Sequence, residues 1–513
     1  MKAPHASAGI EIPLLPNEYW WGGACQDGAQ MPFGKAAYSR DLRFDHGGNQ
    51  AAPLLLSSQG RYLWADDAFE FEFDKRRLLV RGLEDVPVKE GFHGLAGAYQ
   101  AARQRHFPSA GSMPDPIAFA APQFNTWMEM GHEPTQDRVL AYAQEIVRHG
   151  VPPGILILDD GWSEAYGVWE FHSGRFPDPK SMVGRLREEG FAVMLWLVPF
   201  VAPDTPSFLE LESRRLLLRD VDGATALRRW WNGCSAVLDI SNPEAVGWLR
   251  QKLDALVDEY GIAGFKMDAG DPDVFLPTDR SHRPLDPSGF TEAWGQVGDS
   301  YSLCEYRAFW KLGGASAIQR LRDKHRCWGR DGLNDLIPNS LAQGLMGHPF
   351  VCPDMVGGGE ISSSFTGPVD QELFVRTAQC SALFPIVQFS IAPWRVLDAD
   401  HWQYCAEAIA VRQRLVPTIL NLARQAARDG QPIMRHLAYA YPGDGYEEIS
   451  DQFLLGDRTL VAPVLQPGAR SRKVVFPPGV WTSVEGERFT GPCEAVVDAP
   501  LSQLPWFRRE ELL

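Results

Sequence analysis

The sequence has no hydrophobic run long enough to span a bilayer: nowhere do about 18 apolar residues follow one another without interruption. Its first residues, MKAPHASAGIEIPLLPNEYW, include Lys2 but no apolar stretch of the roughly 7–15 residues a secretory leader needs. Neither membrane insertion nor secretion is expected. Positive charge is also in short supply, since 49 Lys and Arg face 65 Asp and Glu for a net −16. Such a surface repels phosphate backbones, so nucleic acid is excluded as an expected partner. The eight cysteines lie far apart with no CxxC pair, mostly beside apolar residues, and read as reduced, buried thiols of a cytoplasmic protein. HExxH and GxxxxGK[ST] are missing, so neither a zinc centre nor a nucleotide-phosphate loop is expected, and no cofactor is implied. No internal repeat or low-complexity tract is present.

What the chain does have is length, glycine and tryptophan. Its 513 residues imply two or three domains. Its 17 Trp are either core or platforms for the C–H faces of sugars. Residues 1–113 read as a β-sandwich, with short strands RYLWA, FEFEF and RLLVRG between Gly, Pro and Asp turns. Residues 114–428 alternate apolar strands with amphipathic helices. Eight strand candidates, IAFAAPQF, GILILDD, FAVMLWLVPF, AGFKMDAG, DSYSLCEY, HRCWG, PFVCPDM and ALFPIVQF, predict an α/β fold of the (β/α)8 barrel type. Thr135 is placed to cap a helix with apolar face Val139, Ala143, Ile146 and Val147, ended by Gly150, and Asn242-Pro243 opens another through Leu249, Leu253 and Leu256. Residues 429–513 return to short strands and predict a C-terminal β domain of sandwich type.

Active sites of such barrels lie at the C-terminal ends of the strands. The polar residues ending the apolar runs are almost all carboxylates: Asp159 and Asp160 after GILIL, Asp268 and Asp271 in FKMDAGD, Asp331 after HRCWGR, and Asp354 in PFVCPD. Any one of them could be a helix cap or a turn residue. Together, and without metal-binding histidines, they suit glycosidic cleavage, in which one carboxylate attacks the anomeric carbon and another protonates the leaving oxygen. A carboxylate-built Mg²⁺ site is the competing chemistry.

The motifs LDDGW, YGVWEFHSGRFPDP, FKMDAGD, WGRDGL, PFVCPDMVGG, QPIMRHLAYAYPGD and FPPGVWTS, running in order from about residue 117 to 510, resemble glycoside hydrolase family 31. The resemblance implies a retaining α-glycosidase with Asp268 as nucleophile, Lys266 facing the same site, and Asp331 as acid/base, with Asp335 in reserve. PFVCPDMVGG, QFSIAPW and EYWWGG resemble the galactoside-acting branch, which implies that Asp159 and Asp160 receive the 4- and 6-hydroxyls of galactose. Trp162, Trp230 and Trp231 are the stacking candidates, and Asp271, Arg326, Trp328 and Asp354 complete the expected substrate site. The implied partner is an oligosaccharide or glycoside. The sequence departs from the family at WGRDG, which replaces WxGDN, and at Asp271, which stands in place of Glu; the basic residue for the 2-hydroxyl is open among Lys311, Arg320, Arg322 and Arg326. An α-glucosidase, an α-xylosidase, a transglycosidase and a non-catalytic carbohydrate-binding relative remain alternatives.

Overall fold

The computed structural model describes residues 9–360 and 368–510. At its centre are eight parallel strands: β1 (Gln123–Asn125), β2 (Ile155–Leu158), β3 (Ala192–Leu197), β4 (Gly264–Met267), β5 (Leu303–Tyr306), β6 (Ile318–Arg320), β7 (Val351–Cys352 and Met355–Val356) and β8 (Gln388–Phe389). β7 is broken at Pro353–Asp354; its first half pairs with β6 and its second with β8. β8 in turn pairs with β1, so the sheet closes into the expected (β/α)8 barrel.

Strand β2 shows how sequence becomes barrel. Its four residues, ILIL, are all buried, with Ile155 and Ile157 in one hydrophobic cluster and Leu156 and Leu158 in the other. Each such side chain contributes roughly 1.5–3 kcal/mol by leaving water. The period of two carries the face of Ile155 and Ile157 on to Asp159, a carboxylate aimed by the same alternation that buries its predecessors.

Helix signals act as local chemistry dictates. Thr135 Oγ1 accepts from Arg138 N at 3.4 Å to open α1 (Gln136–Arg148), and Gly150 follows at φ 75°. Asn242 Oδ1 accepts from Glu244 N at 2.9 Å to open α2 (Pro243–Tyr260), which buries Leu249, Leu253 and Leu256. Val147 is a correction: it is 46% exposed, because the buried stripe runs through Val139, Ala143 and Ile146 and leaves its neighbour outside.

Two strand expectations also change. Ile117–Ala120 forms a helical turn before β1. The sixth strand is Ile318–Arg320, while HRCWG is loop. Arg320 hides that strand from a hydrophobicity pattern, yet it is fully buried because Glu305, Asp323 and Asp354 at 3.1, 2.7 and 2.7 Å neutralise it.

In the N-terminal region two antiparallel sheets lie against each other, one ordered Ile10–Pro13, Arg77–Arg81, Glu70–Phe73, Tyr38–Asp41, the other built on Gln50–Ser57. Phe33 packs on Phe71 and Phe73 in their core. Gln50 and Ala51 pair in parallel with Phe309 and Trp310, which begin three residues beyond the end of β5, so the N-terminal sheet is stitched directly to the barrel. Six antiparallel strands between Met434 and Arg509 form the C-terminal sheet. Among the described residues no helix is long and apolar enough to cross a membrane.

Candidate active site

A cavity of about 500 Å³ opens at the C-terminal ends of the barrel strands. Asp159, Asp160, Lys266, Asp268, Asp271 and Asp331 all line it, together with Trp231.

Asp268 follows β4 directly, its N–H continuing the ladder to Leu197 O at 2.9 Å. Ala269 at φ 53° and Gly270 at φ 78° then turn the chain sharply away. The carboxylate is held on both oxygens. Oδ1 accepts from Arg307 Nε and from the Ala269 N–H, each at 2.9 Å, and Oδ2 accepts from the Trp196 indole at 2.9 Å. Burial alone would favour the acid, but Arg307, helped by Lys266 and Arg320, keeps Asp268 well below the usual carboxylate range. Arg307 is itself shared, with Asp271 at 2.6 Å and the Gly48 carbonyl at 2.7 Å. If Asp268 lost its charge in an ester, the guanidinium would therefore still have partners.

The tandem aspartates divide the work. Asp159 Oδ2 accepts from Lys266 Nζ at 2.6 Å and from Asn125 at 2.9 Å. Burial opposes the Lys266 ammonium, but Asp159 and Asp268 more than offset it and hold its pKa above the ordinary value. Gly161, at φ 90°, turns the chain just after β2, and Asp160 reaches the same cavity instead of the opposite face. There it accepts from Tyr166 at 3.1 Å and Asn232 at 2.5 Å, with His132 Nδ1 at 3.3 Å. The hydrogen bond to Asp160 raises the pKa of His132, despite partial burial.

Asp331 sits on the opposite loop at φ 58°, its N–H fixed by Asp335 Oδ2 at 2.8 Å. Lys324 donates to Oδ1 at 3.0 Å and Arg322 to Oδ2. Burial works against ionisation, yet these two cations bring the carboxyl down to about 2.

Two family models match this chain: the glycosyl hydrolases family 31 TIM-barrel domain over residues 112–326, and the glycosyl hydrolase family 31 C-terminal domain over residues 430–512. The chain belongs to glycosyl hydrolase family 31. Myogenesis-regulating glycosidase of Mus musculus is 39% identical over 410 residues, covering 78% of this chain and 57% of the relative. Alpha-glucosidase 2 of Bacillus thermoamyloliquefaciens is 27% identical, covering 73% of this chain and 51% of the relative. Sulfoquinovosidase of Escherichia coli is 26% identical, covering 67% and 53%. The chain thus spans little more than half the length of these relatives. The fold of a Flavobacterium johnsoniae family 31 dextranase complexed with glucose superposes with a TM-score of 0.84 at 21% identity, covering 98% of this chain and 67% of that one. A family 31 α-xylosidase from a soil metagenome, complexed with xylose, gives 0.83 at 22% identity, covering 98% and 79%.

Not every family 31 candidate reaches the cavity. Trp162 is fully buried, its indole donating to Trp196 O at 2.6 Å, and it packs edge-on against Phe171 as core. Trp230 lies behind Trp231, packed on Phe200 and bonded to Ser235 at 3.1 Å. Trp328 turns away to donate to Asp370 at 3.0 Å. Arg326 and Asp354 border a separate void of about 40 Å³. Asp354 accepts from Arg320 and from the Lys324 N–H, so it ties down the loop that carries Asp331, and burial pushes its pKa up. Among the basic residues considered for the 2-hydroxyl, only Arg322 lines the main cavity.

The sequence reading also missed residues that do line it. Arg307 ends an apolar strand just as Asp268 does, so the strand-end rule extended to cations would have found it. Trp196 lies on β3 opposite Lys266, where strand pairing brings its indole to Asp268. Asp45, His46 and Gly48 come from the N-terminal domain, and no local pattern marks them.

Proposed function

We propose that this protein is a retaining α-glycosidase that releases terminal α-galactose, with Asp268 as nucleophile and Asp331 as acid/base. One observation carries the catalytic part: a buried carboxylate at the end of β4, held ionised by Arg307, and a second, more exposed carboxylate on the β6–β7 loop face one cavity. Asp268 is kept ionised by Arg307 and oriented by Trp196, so its lone pair is available to the anomeric carbon. Asp331, paired with Lys324 and Arg322 in the free protein, takes up a proton from solvent when the leaving group displaces the more exposed Arg322, and as the C–O bond breaks that proton passes to the departing oxygen. Water then attacks the glycosyl ester while Asp331 takes up its proton, and two inversions give net retention.

Asp159 and Asp160 support galactose. An axial 4-hydroxyl and a 6-hydroxyl are adjacent donors, and two adjacent carboxylates lining the cavity can accept from both. Asp159 Oδ2 is taken by Lys266 and Asn125, while Oδ1 accepts only the Asp160 N–H among the described residues and keeps a lone pair for the sugar; Asp160 Oδ1, which accepts from Tyr166 alone among them, does the same. Trp231, 51% exposed at the cavity wall, offers an apolar face to the ring. The test is a panel of p-nitrophenyl α-glycosides. The α-galactoside should give the highest kcat/KM, and a preference for α-glucoside, α-xyloside or a sulfonated sugar would reassign the specificity.

A further inference from the structure

We propose that Gln26, from the N-terminal domain, is a positioning residue for Asp331, and that it reserves Oδ2 as the oxygen that carries the catalytic proton. This rests on the assignment of Asp331 as acid/base.

Gln26 and Asp331 are 305 residues apart in sequence, yet Gln26 Nε2 donates to Asp331 Oδ1 at 3.1 Å. The amide cannot be turned around. Its Oε1 accepts from Lys324 Nζ at 3.1 Å and Asn339 Nδ2 at 3.3 Å, and the Lys324 ammonium can only donate. That side therefore requires an acceptor, which aims the NH₂ at Asp331.

The consequence falls on the carboxyl. Oδ1 receives Gln26 and Lys324, at 3.1 and 3.0 Å, so a proton placed there would face two donors. Oδ2 receives, among the described residues, only Arg322. The two cations differ in freedom: the Lys324 side chain is 4% exposed, whereas that of Arg322 is 36% exposed and lines the open cavity. A leaving group entering the cavity displaces Arg322, and Oδ2 is then the oxygen that can take a proton from solvent and pass it to the glycosidic oxygen. In that step the O–H bond to Oδ2 breaks as the leaving-group O–H forms. The C–O electron pair stays on the departing oxygen while Asp268 bonds to the anomeric carbon. In the second step water returns a proton to Oδ2. Asp335 touches the Asp331 backbone N–H, leaving both carboxyl oxygens to the groups named above.

The fold fixes Gln26 firmly enough for this role. It belongs to the 3₁₀ turn Cys25–Gln30, which packs against the helix Leu333–Leu345. The contact is backbone on backbone at Gly28, where a Cβ would stand 2.3 Å from Pro338 O and 2.6 Å from Asn339 N. The adjoining strand holds the same loop, with Gln50 Nε2 donating to Arg320 O at 3.0 Å.

The experiment compares Gln26→Met, which keeps length but loses the amide, with Asp331→Ala and the parent. Each is assayed on two α-glycosides of the sugar the parent prefers, one with a 2,4-dinitrophenyl leaving group and one with an alkyl leaving group. Gln26→Met should lose about tenfold in kcat on the alkyl glycoside, stay within about twofold on the activated one, and keep its KM and thermal midpoint. Gln26→Glu, which keeps the acceptor for Lys324 but sets a carboxylate beside Asp331, should move the basic limb of kcat/KM to higher pH. Equal losses on both substrates, or a Gln26→Glu profile identical to the parent's, would overturn the proposal even where Asp331→Ala shows a strong leaving-group dependence. If Asp331→Ala shows no such dependence, the acid/base assignment fails first and the proposal falls with it.

Discussion

Replacing Asp160 by Asn is the sharpest probe of sugar selection, and the structure explains why it is cleaner than the same change one residue earlier. Asp159 is the partner of a lysine whose side chain is 4% exposed, and Asp159→Asn strands that buried ammonium. Breaking such a pair from one side costs about 3–5 kcal/mol, so lost activity would be confounded with lost stability. Asp160 is different. Its partners are the neutral Tyr166 and Asn232 and the partly exposed His132, which can shed its proton. Asp160→Asn keeps the shape and removes the charge; its carbonyl can stay on the Asn232 NH₂ while its own NH₂ donates to the Tyr166 oxygen. A hydroxyl donating to a carboxylate contributes about 1.5–3 kcal/mol, so kcat/KM for p-nitrophenyl α-galactoside should fall by roughly 10- to 150-fold. The α-glucoside, whose 4-hydroxyl is equatorial, should fall less, and the thermal midpoint should move by only a few degrees. Equal losses on the two epimers, or a parent that prefers glucoside, would refute galactose selection by this pair.

Asp331→Ala should depress turnover of alkyl glycosides by orders of magnitude and of activated aryl glycosides far less, and azide should restore rate by forming a glycosyl azide of retained configuration. No rescue and no leaving-group dependence would move the role to Asp335 or elsewhere. With Asp331 as acid/base, the basic limb of the pH profile reports its protonated form, which burial favours but which Lys324 and Arg322 draw down to about 2 in the free protein. Activity on poor leaving groups should therefore fall as pH rises, and Arg322→Ala, by removing one cation, should shift that limb upward by up to about one unit. A downward shift or none in kcat/KM would contradict the ion pair's role.

Much of this site is legible in sequence because a barrel strand is a ruler. An apolar run with period two that ends in a carboxylate places that carboxylate at the rim, which is how Asp159 and Asp268 could be found. Asp160 needed the turn at Gly161, which the LDDGW motif contains but alternation alone argues against. Residue type could not separate Trp162 from Trp231, because indole serves core and sugar platform alike and only burial distinguishes them. β6 escaped because Arg320 looks like loop until Glu305 and Asp354, from neighbouring strands, are brought to it. Gln26 and Gly48 lie furthest from any pattern. Their contacts to Asp331 and Arg307 depend on the N-terminal sheet pairing with Phe309–Trp310 and on the turn Cys25–Gln30 packing against the helix Leu333–Leu345, long-range contacts that no window of sequence contains.

The central claim is that Asp268 becomes covalently glycosylated. The parent protein should be inactivated by 5-fluoro-α-galactosyl fluoride, digested and mapped by mass spectrometry. The account predicts one glycosyl ester, on the peptide containing Phe265–Gly270, at Asp268, and no label on the Asp268→Asn protein. A label on Asp271, Asp331 or any other carboxylate would contradict it.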